Sequence, residues 1–303
     1  MDVNLLPRLR HVWTPIPDYK QSFALLSSAD ASDIQRAVVF VHGFSGKAAS
    51  TWIDFLSLVD DDSFASRWWE TADLFFYHYY WDSIFQRIGY NSDKLFDFLE
   101  RVFPAPPREL FETAEISLRP AFQYNELMLV GHSEGGLLLR KVILEAANRD
   151  SRLEAYLRAK GKGDNPITEP PPAGLLLAQL RLFAPAIAGE ALSGLLGILS
   201  SLPIIASGLR VSSAKQGLAP VSEAVRAARD YTNEWARDFE MECFRAHIVW
   251  AEHDAIVDRE KYKRDYHCTK SPLGTNHSTI CKPKRKYTLP LRFVENGVKN
   301  GEC

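Results

Sequence analysis

Apolar positions in this chain fall into two patterns. A-V-V-F-V-H (37–42), L-F-F-Y-H-Y-Y (74–80) and E-L-M-L-V-G (126–131) are short β-branched or aromatic runs, and each reads as a strand buried on both faces. R-L-F-A-P (181–185) and A-H-I-V-W-A (246–251) supply two more. Other stretches carry apolar residues three and four apart. G-L-L-L-R-K-V-I-L-E-A-A-N, after Gly135, predicts a helix that ends at the polar Asn148, Arg149 and Asp150. A charged helical stretch, S-E-A-V-R-A-A-R-D-Y-T-N-E-W-A-R-D, lies between the last two strands. Strands alternating with helices predict an α/β fold with a mainly parallel central sheet and helices on both faces. No internal repeat is present. The turn-rich 159–174, with K-G-K-G-D-N-P and P-P-P, reads as a surface excursion, because strands of one pattern lie on both sides of it; 1–303 is expected to be a single domain.

Composition narrows the function classes. The chain has 303 residues, 46% hydrophobic, enough to bury a sizeable core, and a formal charge of -2 provides no general attraction for nucleic acid. Cys243, Cys268, Cys281 and Cys303 form no C-x-x-C pair, which argues against a disulfide framework and a zinc site and favours a reducing compartment. The start, M-D-V-N-L-L-P-R-L-R, has no continuous apolar run of the kind a secretory signal needs, so a cytoplasmic setting is the expectation.

One turn carries chemistry. L-V-G-H-S-E-G-G runs from Leu129 to Gly136 and contains G-x-S-x-G between a strand and a helix, the setting of a nucleophile elbow. In such a turn the serine takes strained backbone angles, and side chains two before and two after would collide with one another or with neighbouring elements. The turn would raise Ser133 above the sheet edge at the N-terminus of the next helix, where backbone N–H groups can bind an oxyanion. A second stretch, F-V-H-G-F-S-G (Phe40 to Gly46), follows the first clear strand and can supply another donor through Phe44, beside that of Glu134. His42 in this loop reads as a buried residue bonded to loop backbone rather than as a base.

With these motifs, residues 36 to 285 resemble the α/β-hydrolase superfamily, in particular small esterases and lipase-like hydrolases. V-F-V-H-G-F-S-G with Thr51-Trp52 resembles their oxyanion loop, and V-G-H-S-E-G-G their elbow. The resemblance implies a carboxylate and then a histidine after the serine. W-A-E-H-D-A-I-V-D is similar to the family's acid loop; aligned on Ile256-Val257 it makes Asp254 the acid, with Asp258, at the family's proline position, as the alternative. His253 would point away from Asp254 in an extended segment. G-T-N-H-S-T-I-C-K-P places His277 after a turn and before an expected helix start, as the family's histidine loop does, whereas His267 reads as structural. His11, His78 and His247 read as packing or surface residues. No metal-ligand spacing such as H-E-x-x-H occurs, so neither metal nor other cofactor is implied.

The implied activity is hydrolysis of carboxylic esters through Ser133, Asp254 and His277, with a thioesterase, a peptidase or a catalytically silent binding protein as alternatives. The segment from Ala191 to Leu209 has no charge and is only marginally long enough for a membrane span. Leu192, Leu195, Leu196, Leu199 and Leu202 share one helical face, which fits either a lid (187–222) over an acyl-chain site or a face packed on the core. Lys282, Lys284, Arg285 and Lys286 could favour anionic head groups or form a solvated face. The expected partner is a small-molecule or lipid ester, with peripheral membrane contact and no nucleic acid.

Overall fold

The structure is a computed structural model that describes residues 9–10, 22–26, 34–43, 48–56, 58, 66–79, 87–113, 123–150, 173–186, 229–237, 241–254 and 264–303. Eight strands form one sheet: β1 (Leu9–Arg10), β2 (Ser22–Leu26), β3 (Arg36–Val41), β4 (Ala72–His78), β5 (Glu126–His132), β6 (Gln179–Phe183), β7 (His247–Val249) and β8 (Tyr266–His267). Their spatial order is β1-β2-β4-β3-β5-β6-β7-β8. The β1–β2 and β2–β4 pairs are antiparallel, and every pair from β4–β3 to β7–β8 is parallel. All five strands read from the sequence are present. The three it missed are short or lie at the antiparallel edge, where pairing with a neighbour rather than an apolar run defines the strand.

Side-chain alternation sends successive residues to opposite faces. On one face Phe40 stacks on Phe76 at 4.8 Å and meets Trp52 and Phe55 of α1 (Ala48–Leu56) at 5.1 and 5.2 Å. Phe183 continues that layer, between Trp52 at 6.2 Å and Phe293 at 4.9 Å. On the other face Phe75 and Tyr77 pack against Phe98 of α2 (Arg87–Val102), and Arg149 of α4 (Glu134–Arg149) covers the Phe96 ring at 4.2 Å. A short α3 (Arg108–Thr113) follows α2, and α5 (Leu289–Asn296), which carries Phe293, closes the fold. The buried apolar residues form one contiguous core from Leu25 to Val298. Each fully buried Phe or Leu side chain contributes about 1.5–3 kcal/mol.

Two polar ties fix the far edge of the sheet. The buried Arg140 guanidinium of α4 pairs with the Asp265 carboxylate, whose other oxygen accepts from Ala246 N at 2.9 Å. Cys268 and Cys303 form a disulfide with Cα atoms 5.8 Å apart, while Cys243 and Cys281 are free and buried. This corrects the expectation that the cysteines stay unpaired: 35 residues separate the two in sequence, and only β8 pairing and the turns of the C-terminal segment bring them together. The lid segment 187–222, including Leu192, Leu195, Leu196, Leu199 and Leu202, lies outside the described residues, as does nearly all of the 159–174 excursion. Among the described residues no helix is long and apolar enough to cross a membrane.

Candidate active site

β5 runs into Ser133 and α4 starts at the next residue. Ser133 has φ 55° and ψ −122°, a left-handed conformation that costs a non-glycine residue about 1–3 kcal/mol. Three backbone hydrogen bonds hold it there. Ser133 N donates to Phe183 O at 3.1 Å, and Ser133 O accepts from Gly136 N at 3.1 Å and Ala186 N at 3.0 Å. The strain sits on the serine; the glycines around it supply space. A Cβ at Gly131 would come within 2.8 Å of Gly136 N, and one at Gly135 would overlap the Val41 carbonyl oxygen and approach His42 O to 2.6 Å. One at Gly43 would meet Ser133 Cβ at 2.7 Å, so the loop after β3 is pressed against the serine.

The histidine and the acid come from two loops braced on each other. His253 N donates to Thr275 O at 3.0 Å, Glu252 N to Thr275 Oγ1 at 3.1 Å, and Gly274 N to the Glu252 carboxylate at 2.6 Å. Gly274, at φ 70°, makes the turn that an L side chain would strain. These bonds align His277 with Asp254. His277 Nδ1 lies 2.9 Å from Asp254 Oδ2, with the side chains 9% and 1% exposed. A carboxylate only accepts, so Nδ1 carries a proton, and in the neutral ring Nε2 is the nitrogen with the lone pair. After His277 the chain makes hydrogen-bonded turns rather than the expected helix. Asn276 Oδ1 accepts from Ser278 N and Thr279 N at 3.1 Å, and Pro283 stops any continuation; the helix begins only at Leu289.

His132, next to Ser133, reaches the same loop. Its Nε2 lies 2.7 Å from the His277 carbonyl oxygen, and the two rings are 4.8 Å apart at 47°. Burial, and then the neighbouring His277, push its pKa down to about 3. Motif reading treated this residue as the variable position of G-x-S-x-G, because nothing local in sequence says that its ring meets a loop 145 residues away.

The other expected histidines lie elsewhere. His42 is buried, with Nδ1 2.8 Å from Gly43 O and Nε2 accepting from Tyr79 N at 3.3 Å; its ring stacks on Tyr79 at 4.2 Å. His267 Nδ1 accepts from Trp250 Nε1 at 3.2 Å, and His247 Nδ1 from Val298 N at 2.8 Å. His253 is exposed beside Glu252. Cys281, four residues from His277, is pushed up to about 12 by burial, so its thiol stays protonated. Glu134 is buried at the first position of α4. Phe44, Asp258 and His11 lie outside the described residues. Lys284, Arg285 and Lys286 are exposed on a turn closed by bonds between Lys284 and Tyr287, and Lys282 is half-buried. Among the described residues no group of three or more His, Cys, Asp or Glu side chains could hold a metal ion.

No protein-family profile and no curated protein match the chain. Solved structures similar to it include a monoacylglycerol lipase of Paleococcus ferrophilus, at 13% identity over 91% of this chain and 97% of that one, with a TM-score of 0.46. Est1E of Butyrivibrio proteoclasticus is 13% identical over 95% of this chain and 96% of its own, with a TM-score of 0.47. A soluble variant of the Saccharomyces cerevisiae monoglyceride lipase is 13% identical over 95% and 94%, with a TM-score of 0.46. By its own strand order and by the strand–turn–helix at Ser133, the chain has the α/β-hydrolase fold.

Proposed function

We infer that the protein is a serine hydrolase that cleaves carboxylic esters through Ser133, His277 and Asp254, with apolar or lipid-like esters as the substrate class. The observation that carries this reading is the buried Asp254–His277 pair, whose ring nitrogen is left basic on a loop tied to the turn of a strained serine. In the reaction His277 Nε2 takes the Ser133 Oγ proton as Oγ bonds to the ester carbonyl carbon, and the Asp254 carboxylate stabilises the imidazolium that forms. The carbonyl π electrons move onto its oxygen, and the resulting oxyanion would accept hydrogen bonds from the backbone N–H groups of Glu134 and Phe44. One such donor is worth about 3–4 kcal/mol in the transition state. Collapse expels the alkoxide, which takes the proton from His277, and water activated by the same ring hydrolyses the acyl-enzyme.

Support for the apolar preference is the leucine face of 191–209 in the sequence. The Cys268–Cys303 disulfide is of a kind that persists in oxidising compartments, in contrast to the reducing setting expected from the cysteine spacing. Labelling with a fluorophosphonate, together with an ester series from acetyl to long acyl that includes a thioester and a phospholipid, tests the reading. Labelling and ester turnover that both vanish in Ser133→Ala are expected. Turnover that survives that substitution removes the triad, and turnover confined to the thioester replaces the substrate class.

A further inference from the structure

A hydrolase of this kind must hold a serine from one loop and a histidine from another in a fixed relation, yet the Asp254–His277 bond orients only the histidine ring. The backbone of that loop needs its own tie to the serine. His132 supplies one. It is the residue before Ser133, it is buried, and its ring reaches the His277 carbonyl at 2.7 Å. Because a carbonyl only accepts, the His132 proton sits on Nε2 and Nδ1 is left as a lone pair. Nδ1 is on the side of Gly43, where a Cβ would come within 3.3 Å of it. The ring is thus enclosed by the loop after β3, the serine turn and the histidine loop.

We propose that His132 is a positioning residue, which locks the His277 loop to the serine turn through the Nε2–H bond to the His277 carbonyl and so sets the base relative to the nucleophile. The inference rests on the triad reading above and adds to it a residue that acts through His277 rather than on substrate. The charged and titratable groups that act on the ring are His277, Asp254 and Lys282. Neutrality of the ring matters for the same reason as its place: a second positive charge 4.8 Å from His277 would oppose the imidazolium formed in the transition state. Burial keeps it neutral.

Three substitutions test this with 4-nitrophenyl acetate turnover, the rate of fluorophosphonate labelling and thermal unfolding. His132→Gln puts an uncharged N–H donor near the place of Nε2; His132→Phe keeps a ring and removes the donor; His132→Asn keeps an amide too short to reach. Misplacement of a reacting group by about 1 Å costs on the order of 100-fold. The Phe and Asn variants should therefore lose about 30- to 100-fold in kcat and in labelling rate, with KM within about twofold, while Gln stays within about fivefold of wild type. A Phe variant with wild-type kcat overturns the proposal, as does a Gln variant that falls as far as Phe, or a loss that appears in KM alone. Should the Phe protein fail to fold, the comparison of Gln with Asn decides by the same criteria. Ser133→Ala separates the two levels. If it retains turnover, or if the wild-type protein takes no label, the triad reading fails and this one with it; if it abolishes both while His132→Phe changes neither, only the positioning role fails.

Discussion

His277 donates from Nδ1 to the Asp254 carboxylate across 2.9 Å, and the Asp254 side chain is 99% shielded from solvent. An amide in place of that carboxylate can present an N–H instead of an acceptor and leave the ring in the wrong tautomer. Asp254→Asn should lower kcat by about 10⁴-fold. Asp258→Asn, which leaves the Asp254–His277 bond in place, should change it by less than about threefold. Steady-state kinetics on one short ester checks both, and the reverse ranking moves the acid to Asp258.

Ser133 holds φ 55° and ψ −122°, angles that glycine adopts without penalty and alanine does not. Both Ser133→Ala and Ser133→Gly should be inactive, but the glycine variant should be the more stable of the two by about 1 kcal/mol. Urea unfolding of the pair measures the difference. Equal midpoints would mean that the turn is not strained.

Gly135 and Gly89 make a matched test of space against helix propensity. A Cβ at Gly135 meets the backbone oxygens of Val41 and His42, which cannot move without shifting β3, whereas at Gly89 on α2 it meets only Lys141 Nζ at 3.9 Å. Gly135→Ala should destabilise the protein by about 1–3 kcal/mol. Gly89→Ala should stabilise it by about 0.5–1 kcal/mol. Denaturant midpoints give both signs.

His132 and His247 are each pushed down to about 3, mainly by burial. Unfolded, each would titrate near about 6.5. Between those values the unfolded chain binds more protons, so stability rises with pH, is fully present above about 6.5 and is lost as pH falls towards 3. His132→Gln should flatten the loss between pH 7 and pH 5 by up to about 1.4 kcal/mol per pH unit. An unchanged slope would mean that His132 protonates without cost.

If the leucine face of 191–209 covers an acyl-chain site, replacing Leu195 and Leu199 together by serine should reduce turnover of long-chain esters at least about tenfold more than that of acetyl esters. Equal losses on both substrates, in protein that remains folded, would place the segment in the core.

Five parallel strands were legible because a doubly covered strand must be apolar almost throughout, and that constraint is local. The elbow was legible from the G-x-S-x-G motif between a strand and a helix; the demand for glycine is local at Gly131, whose Cβ would meet Gly136 of the same turn, whereas at Gly135 it comes from the backbone of β3 and its loop. The choice of Asp254 and His277 rested on resemblance and chain order, since nothing near either residue says which carboxylate meets which ring. Tertiary structure alone brought them to 2.9 Å, through Thr275 and Glu252 bridging the two loops. It also decided the contact of His132 with the His277 carbonyl, the burial of Arg140 on Asp265 and the pairing of Cys268 with Cys303. Periodicity records how much of a residue is covered, because burial is a property of one element's face. It does not record by what, because a hydrogen bond between distant loops depends on where the sheet carries both of its ends.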